Sequence, residues 1–111
     1  MDIIPATKEH ILALYNDAPV TVRAIAAVEN GQVFGVAGIY KDGFRDVAFV
    51  KITDKLKNDK RSIIIGSKLF FKMFGHRNML AIKDQCLDSA DGFIKHFGFK
   101  ELQDGIYVWT A

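Results

Sequence analysis

The chain of 111 residues holds one cysteine, two prolines and one tryptophan. With Cys86 alone, an internal disulfide is excluded, and a lone thiol suits a reducing compartment. A cytoplasmic location is therefore expected. No apolar run approaches the roughly 20 residues that span a bilayer. The chain starts Met1-Asp2-Ile3 without a basic leader, so neither export nor membrane attachment is expected. An excess of one charge is missing too: fifteen basic and thirteen acidic residues leave a net +2. That is too little for binding through phosphate neutralisation, and no nucleic-acid partner is expected. Repeats, linkers and biased segments are also lacking. What is present is a globular composition, half apolar, 12% aromatic and 25% charged. Disorder and collagen-like repeats are excluded, and residues 1–111 are expected to form one domain.

Three Asx-Gly pairs punctuate the sequence at Asn30-Gly31, Asp42-Gly43 and Asp104-Gly105, and such pairs favour tight hairpins because both positions tolerate positive φ. The first two bracket β-rich runs over Val20 to Glu29, Gln32 to Tyr40 and Phe44 to Thr53, which predicts a three-strand meander. The third predicts a hairpin of Phe99 to Gln103 with Ile106 to Trp109. Between these blocks the period changes to 3.6. From Arg61 to Phe74, Ile63, Gly66, Ser67, Phe70, Met73 and Phe74 fall on one helical face with Arg61, Lys68 and Lys72 opposite, and Gly75 serves as a left-handed terminator. Met79 to Lys83 is a strand candidate. A second helix starts near Ser89, buries Ala90, Phe93, Ile94 and Phe97, and stops at Gly98. At the amino end Ile3-Ile4 forms a brief strand and Thr7 caps a helix through about Asp17, burying Ile11, Leu14 and Tyr15, with Pro19 barring its extension. The predicted fold is α+β, a mixed, mostly antiparallel sheet with helices on both faces in the order β-α-β-β-β-α-β-α-β-β.

That order, with two motifs, resembles the GNAT superfamily of acetyl-coenzyme-A-dependent N-acyltransferases over nearly the whole chain. Ala90-Asp91-Gly92-Phe93-Ile94-Lys95-His96-Phe97-Gly98-Phe99 is similar to the family's Ala-x-x-[Leu/Phe]-Tyr-x-x-x-Gly-Phe segment at four of five fixed positions. Arg61-Ser62-Ile63-Ile64-Ile65-Gly66 stands where the family has [Gln/Arg]-x-x-Gly-x-[Gly/Ala], a loop that holds the coenzyme pyrophosphate. Arg61 and Gly66 match, and Ile64 replaces the first glycine. Ile4-Pro5-Ala6-Thr7 resembles part of a family opening. The resemblance implies acetyl-CoA as cofactor, its pantetheine arm added to the backbone of Phe49, Val50, Lys51 and Ile52 like another strand. It implies that Lys60, Arg61, Ser62, Ile63, Ile64, Ile65, Gly66 and Ser67 receive the phosphates at a helix amino terminus approached by Lys55 and Lys57.

Acetyl transfer needs a deprotonated amine, a polarised thioester carbonyl and often an acid for the departing thiolate. The family's tyrosine acid falls at Ile94, which donates no proton, so Tyr107 and, less directly, Tyr40 are the phenols to weigh against ordinary packing. Asp46 is the carboxylate on the third meander strand, a base candidate whose ordinary reading is an exposed strand residue. His10, His76 and His96 are too scattered for a metal site, and none is expected. Cys86 reads as a small buried residue, with no base beside it to make a nucleophile. The first hypothesis is an N-acetyltransferase acting on an unidentified small-molecule or protein amine, as monomer or homodimer. The Thr7 helix is short where the family commonly has two, so the acceptor stays open. The alternative is a non-catalytic GNAT-like binding or structural module of the sort found among tailed-bacteriophage proteins, located in host cytoplasm or virion. Nucleic-acid binding ranks last, because exposed aromatics do not alternate along the meander.

Overall fold

A computed structural model describes residues 1–16, 22–86, 98–103 and 105–111, with backbone alone for 82–86. It is an α+β arrangement: β1 (Asp2–Pro5), α1 (Lys8–Leu12), β2 (Val22–Glu29), β3 (Gln32–Asp42), β4 (Arg45–Ile52), α2 (Asp54–Lys57), α3 (Lys60–Phe74), β5 (Met79–Cys86), β6 (Lys100–Gln103) and β7 (Ile106–Trp109). The strands form one seven-stranded sheet in the order β1-β2-β3-β4-β5-β7-β6. Every neighbouring pair is antiparallel except β4 with β5, which α2 and α3 connect as a parallel crossover.

The turn chemistry predicts the meander well. Asn30 and Gly31 both take positive φ, 52° and 77°, which lets a two-residue loop follow the twist of β2 and β3. Gly43 and Gly105 are also positive, at 63° and 78°, in the other two hairpins. Between β2 and β3 the register shifts after Ala27, leaving Phe34 as an extra residue. Both the backbone N–H and the hydroxyl of Thr53 donate to the Phe34 carbonyl, at 2.9 and 2.8 Å, so the bulge keeps its polar group satisfied.

Helices cover opposite faces. On one, Ile11 of α1 packs with Ala24, Ala26, Val36 and Phe49. On the other, Phe70 and Phe74 of α3 join Ile25, Ile39, Ala48, Met79, Ala81, Phe99 and Tyr107. Each phenylalanine so buried contributes about 1.5–3 kcal/mol. Trp109 stacks on Phe71 with ring centroids 4.7 Å apart and donates from Nε1 to the Gly75 carbonyl at 3.0 Å, which fastens the end of α3 to β7.

Several local expectations are corrected. Thr7 does cap α1, accepting from His10 N and donating its own N–H to His10 Nδ1, but regular helix ends at Leu12 rather than Asp17. Lys51 Nζ donates to the Leu14 carbonyl at 2.6 Å, and Leu14 and Tyr15 are only half-buried. Gly75 is right-handed, φ −65° and ψ −13°. Its need for glycine is steric, because a Cβ there would meet the Phe71 carbonyl. Met73 is 37% exposed instead of inward. The short α2 has no counterpart in the sequence reading, and β5 runs three residues past Lys83. The helix expected from Ser89, with Ala90, Phe93, Ile94, His96 and Phe97, lies outside the described residues. Gly98, its expected terminator, has φ 99°, and the following Phe99 is buried against Trp109.

Candidate functional site

The site is a hollow between α3 and the sheet, with a cavity volume of about 110 Å³. It follows from side-chain size at aligned positions. In register, Ala27 faces Gly35, Ile25 faces Ala37, Ala37 faces Val50, and Ala48 faces Ala81. Partners across a ladder point to the same face. A run of alanine and glycine at the centre of the α3 face therefore leaves the helix resting on its larger neighbours, with space beneath it. Ile63, Gly66, Ser67 and Phe70 form the roof, and Phe49, Val50 and Ile52 of β4 contribute to the floor.

Beside this hollow the β4–β5 ladder breaks. Val47 pairs with Leu80 and Ala48 with Ala81, but the next pair is Val50 with Cys86. Phe49 alone intervenes on β4, whereas Ile82 to Gln85 intervene on β5, so the longer path must leave the ladder. Among the described pairs, Phe49, Lys51 and Ile52 have no partner on β5.

Of the residues named from sequence, Phe49, Val50, Ile52, Ser62, Ile63, Gly66 and Ser67 come together around the cavity. Lys51 does not: its ammonium crosses to the α1 face, over the Tyr15 ring at 5.1 Å. Lys60, Arg61, Ile64 and Ile65 lie on the solvent side of α3, the two isoleucines 55% and 45% exposed. Neither isoleucine plugs the helix mouth. Arg61 to Gly66, expected as a phosphate-holding loop, is helical throughout. Ile63 N already donates to the Asp59 carbonyl at 3.1 Å, and later amides point along the helix in the same way.

The helix start carries its own anion. Asp59 is the N-cap, accepting from Ser62 N at 3.1 Å and from Ser62 Oγ at 2.8 Å. Those hydrogen bonds, with the backbone one strongest, hold its carboxyl below the ordinary value of 3.8, aided by the charges of the amino terminus and Arg61. Lys55 pairs with Glu29 at 3.1 Å and lies over Phe34, and Lys57 pairs with Asp54 at 3.9 Å. Lys60 and Arg61 are the remaining cations of that cluster.

Both candidates for acid-base chemistry are largely shielded from solvent. Asp46 is not the exposed strand residue expected: its side chain is 11% exposed, 2.9 Å from Lys41 Nζ in a contact that is ionic rather than an aligned hydrogen bond, and 3.6 Å from Arg77. Tyr107 is 0% exposed, and its hydroxyl has no hydrogen-bond partner among the described residues. Tyr40 is half-buried, its ring 6.1 Å from Phe49. The side chain of Cys86 lies outside the described residues. Missed by the sequence reading were Asp59 as a cap and the small residues that make the hollow. An aspartate one position ahead of a basic helical turn was the available sign of the cap.

Family models, curated proteins and solved structures yield no match to this chain. Among the described residues, no helix is long and apolar enough to cross a membrane.

Proposed function

We propose that this chain is a GNAT-like N-acyltransferase domain that takes an acyl-CoA thioester at the break between β4 and β5 and carries its acyl group beneath α3. The observation that carries the reading is the coincidence of that break with an apolar hollow lined by β4 and α3. The backbone at Phe49, Lys51 and Ile52, which has no partner on β5 among the described pairs, offers an edge to which an extended, amide-bearing pantetheine arm can add. Lys60 and Arg61, with the first free amides of α3, face the phosphates; the Asp59 carboxylate opposes them and limits affinity. The coenzyme supplies an activated thioester. The chain supplies position, which by itself lowers the barrier to attack by an amine. Asp46 and Tyr107 take no part in proton transfer on this reading.

Calorimetric titration of acetyl-CoA tests it. A saturable affinity of micromolar order, weakened about tenfold or more by Arg61→Glu, is the expected result, together with thiol release when an accepted amine is added. Absence of binding at millimolar coenzyme would overturn the reading. The sequestered Asp46 and Tyr107 favour a second reading, a module that binds without turnover. Binding with no thiol release across a panel of amines would establish that second reading in place of the first.

A further inference from the structure

We infer that the cavity under α3 is shaped for an acyl chain of about four to six carbons rather than for acetyl, and that Gly66 sets the length it accepts; this rests on the acyl-CoA reading above. The cavity of about 110 Å³ compares with engineered apolar cavities of about 150 Å³ that hold benzene, whereas acetyl carries two carbons. Its lining gives a bound water few polar partners. The two serine hydroxyls in its wall are already committed, Ser62 Oγ donating to Asp59 Oδ2 at 2.8 Å and Ser67 Oγ to the Ile63 carbonyl at 2.7 Å. A buried water needs two to four polar partners, and the surrounding alanine, isoleucine and phenylalanine side chains offer none. An alkyl chain needs only the space.

Gly66 stands in the roof, and a Cβ built on it would meet nothing nearer than Ile3 Cδ1 at 3.8 Å. Glycine is therefore not required for close packing of helix on sheet. Its missing side chain is part of the void, so larger residues at this position subtract from chain length directly.

The test is titration of the full chain with CoA, acetyl-, butyryl-, hexanoyl- and palmitoyl-CoA, alongside thermal shifts with n-hexanol as a coenzyme-free probe. Each methylene buried is worth about 0.8 kcal/mol, or about fourfold in affinity, so hexanoyl-CoA, with four more methylenes, is expected to bind roughly 250-fold tighter than acetyl-CoA. Palmitoyl-CoA gains nothing further. Gly66→Leu removes most of the hexanoyl advantage, and Gly66→Ala, which keeps the helix intact, removes about fourfold of it. Equal affinity for acetyl- and hexanoyl-CoA would overturn the chain-length inference while leaving the acyl-CoA reading in place. If no CoA species binds but n-hexanol raises the melting temperature of the parent and not of Gly66→Leu, the apolar site stands and the coenzyme reading falls. Failure of both series overturns both.

Discussion

Ala48 of β4 and Ala81 of β5 stand opposite each other, and the next pair along the same two strands is Val50 with Cys86. The two alanines are the last point at which the parallel ladder runs regularly. Their small side chains also line the hollow under α3, so one position supplies both the opening in the sheet and the space above it. Filling it has a defined outcome. Ala48→Phe is expected to abolish binding of acyl-CoA and, because Ala48 is buried within the core under α3, to lower stability by about 1–3 kcal/mol. Calorimetry with urea denaturation separates the two effects. Full binding by a folded variant would contradict the placement of the site.

Tyr107 buries a hydroxyl that finds no partner among the described residues. An unsatisfied buried polar group costs about 1–3 kcal/mol. Tyr107→Phe is therefore expected to raise the unfolding free energy measured by urea denaturation by an amount in that range, with acyl transfer unchanged. A variant with lost stability and lost turnover would return the phenol to the chemistry.

Asp46 joins Lys41 on β3 to Arg77 in the turn after α3. Removing a largely buried carboxylate leaves two cations facing each other. Asp46→Ala is expected to destabilise the fold by about 1–3 kcal/mol without altering the pH profile of any transfer reaction. A pH profile that loses a limb in the variant would show Asp46 acting as a base.

Asp59 makes the stability of α3 depend on pH. Its folded pKa lies below the ordinary 3.8, so its contribution is present at pH values above 3.8 and is lost as the pH falls through the depressed value. Melting temperatures of the parent and Asp59→Ala, measured from neutral pH downward, are expected to differ by a constant margin until about pH 4 and to converge below it. A margin that persists into strong acid would mean that the carboxylate charge is not what the cap supplies.

Gly66→Ala replaces a helical glycine at a position with room for a methyl group. The gain in helix propensity is about 0.8–1 kcal/mol, and a raised melting temperature is expected. A lowered one would show that helix and sheet meet more closely here than the cavity allows.

The parts of this fold legible in sequence are those encoded by one or two neighbouring residues. Asn30-Gly31 announces its hairpin because few other pairs accept positive φ at both positions. Thr7 announces α1 by its hydroxyl, and the spacing of Ile63, Phe70 and Phe74 announces α3. Illegible were features set by partners far along the chain. The Leu14 carbonyl, just past α1, is held by Lys51, and the hydroxyl of Thr53 is turned from capping α2 to the bulged Phe34. The hollow belongs to this second class. Ala27, Gly35, Ala37, Ala48 and Ala81 are unremarkable in sequence and become a site only through a register that the extra residue at Phe34 displaces. Conversely, the segment compared with the family's phosphate loop is helix here, because Asp59 caps α3 at Lys60 and Ile63 to Gly66 spend their amides inside it.

The most direct measurement is a backbone-amide NMR titration of the isotope-labelled chain with acetyl-CoA. Saturable shifts concentrated at Ala48 to Ile52, at Lys60 and Arg61, and at Gly66 and Ser67 are the expected result. Spectra unchanged at millimolar coenzyme, or shifts confined to β1, α1 and the outer strand β6, would contradict it.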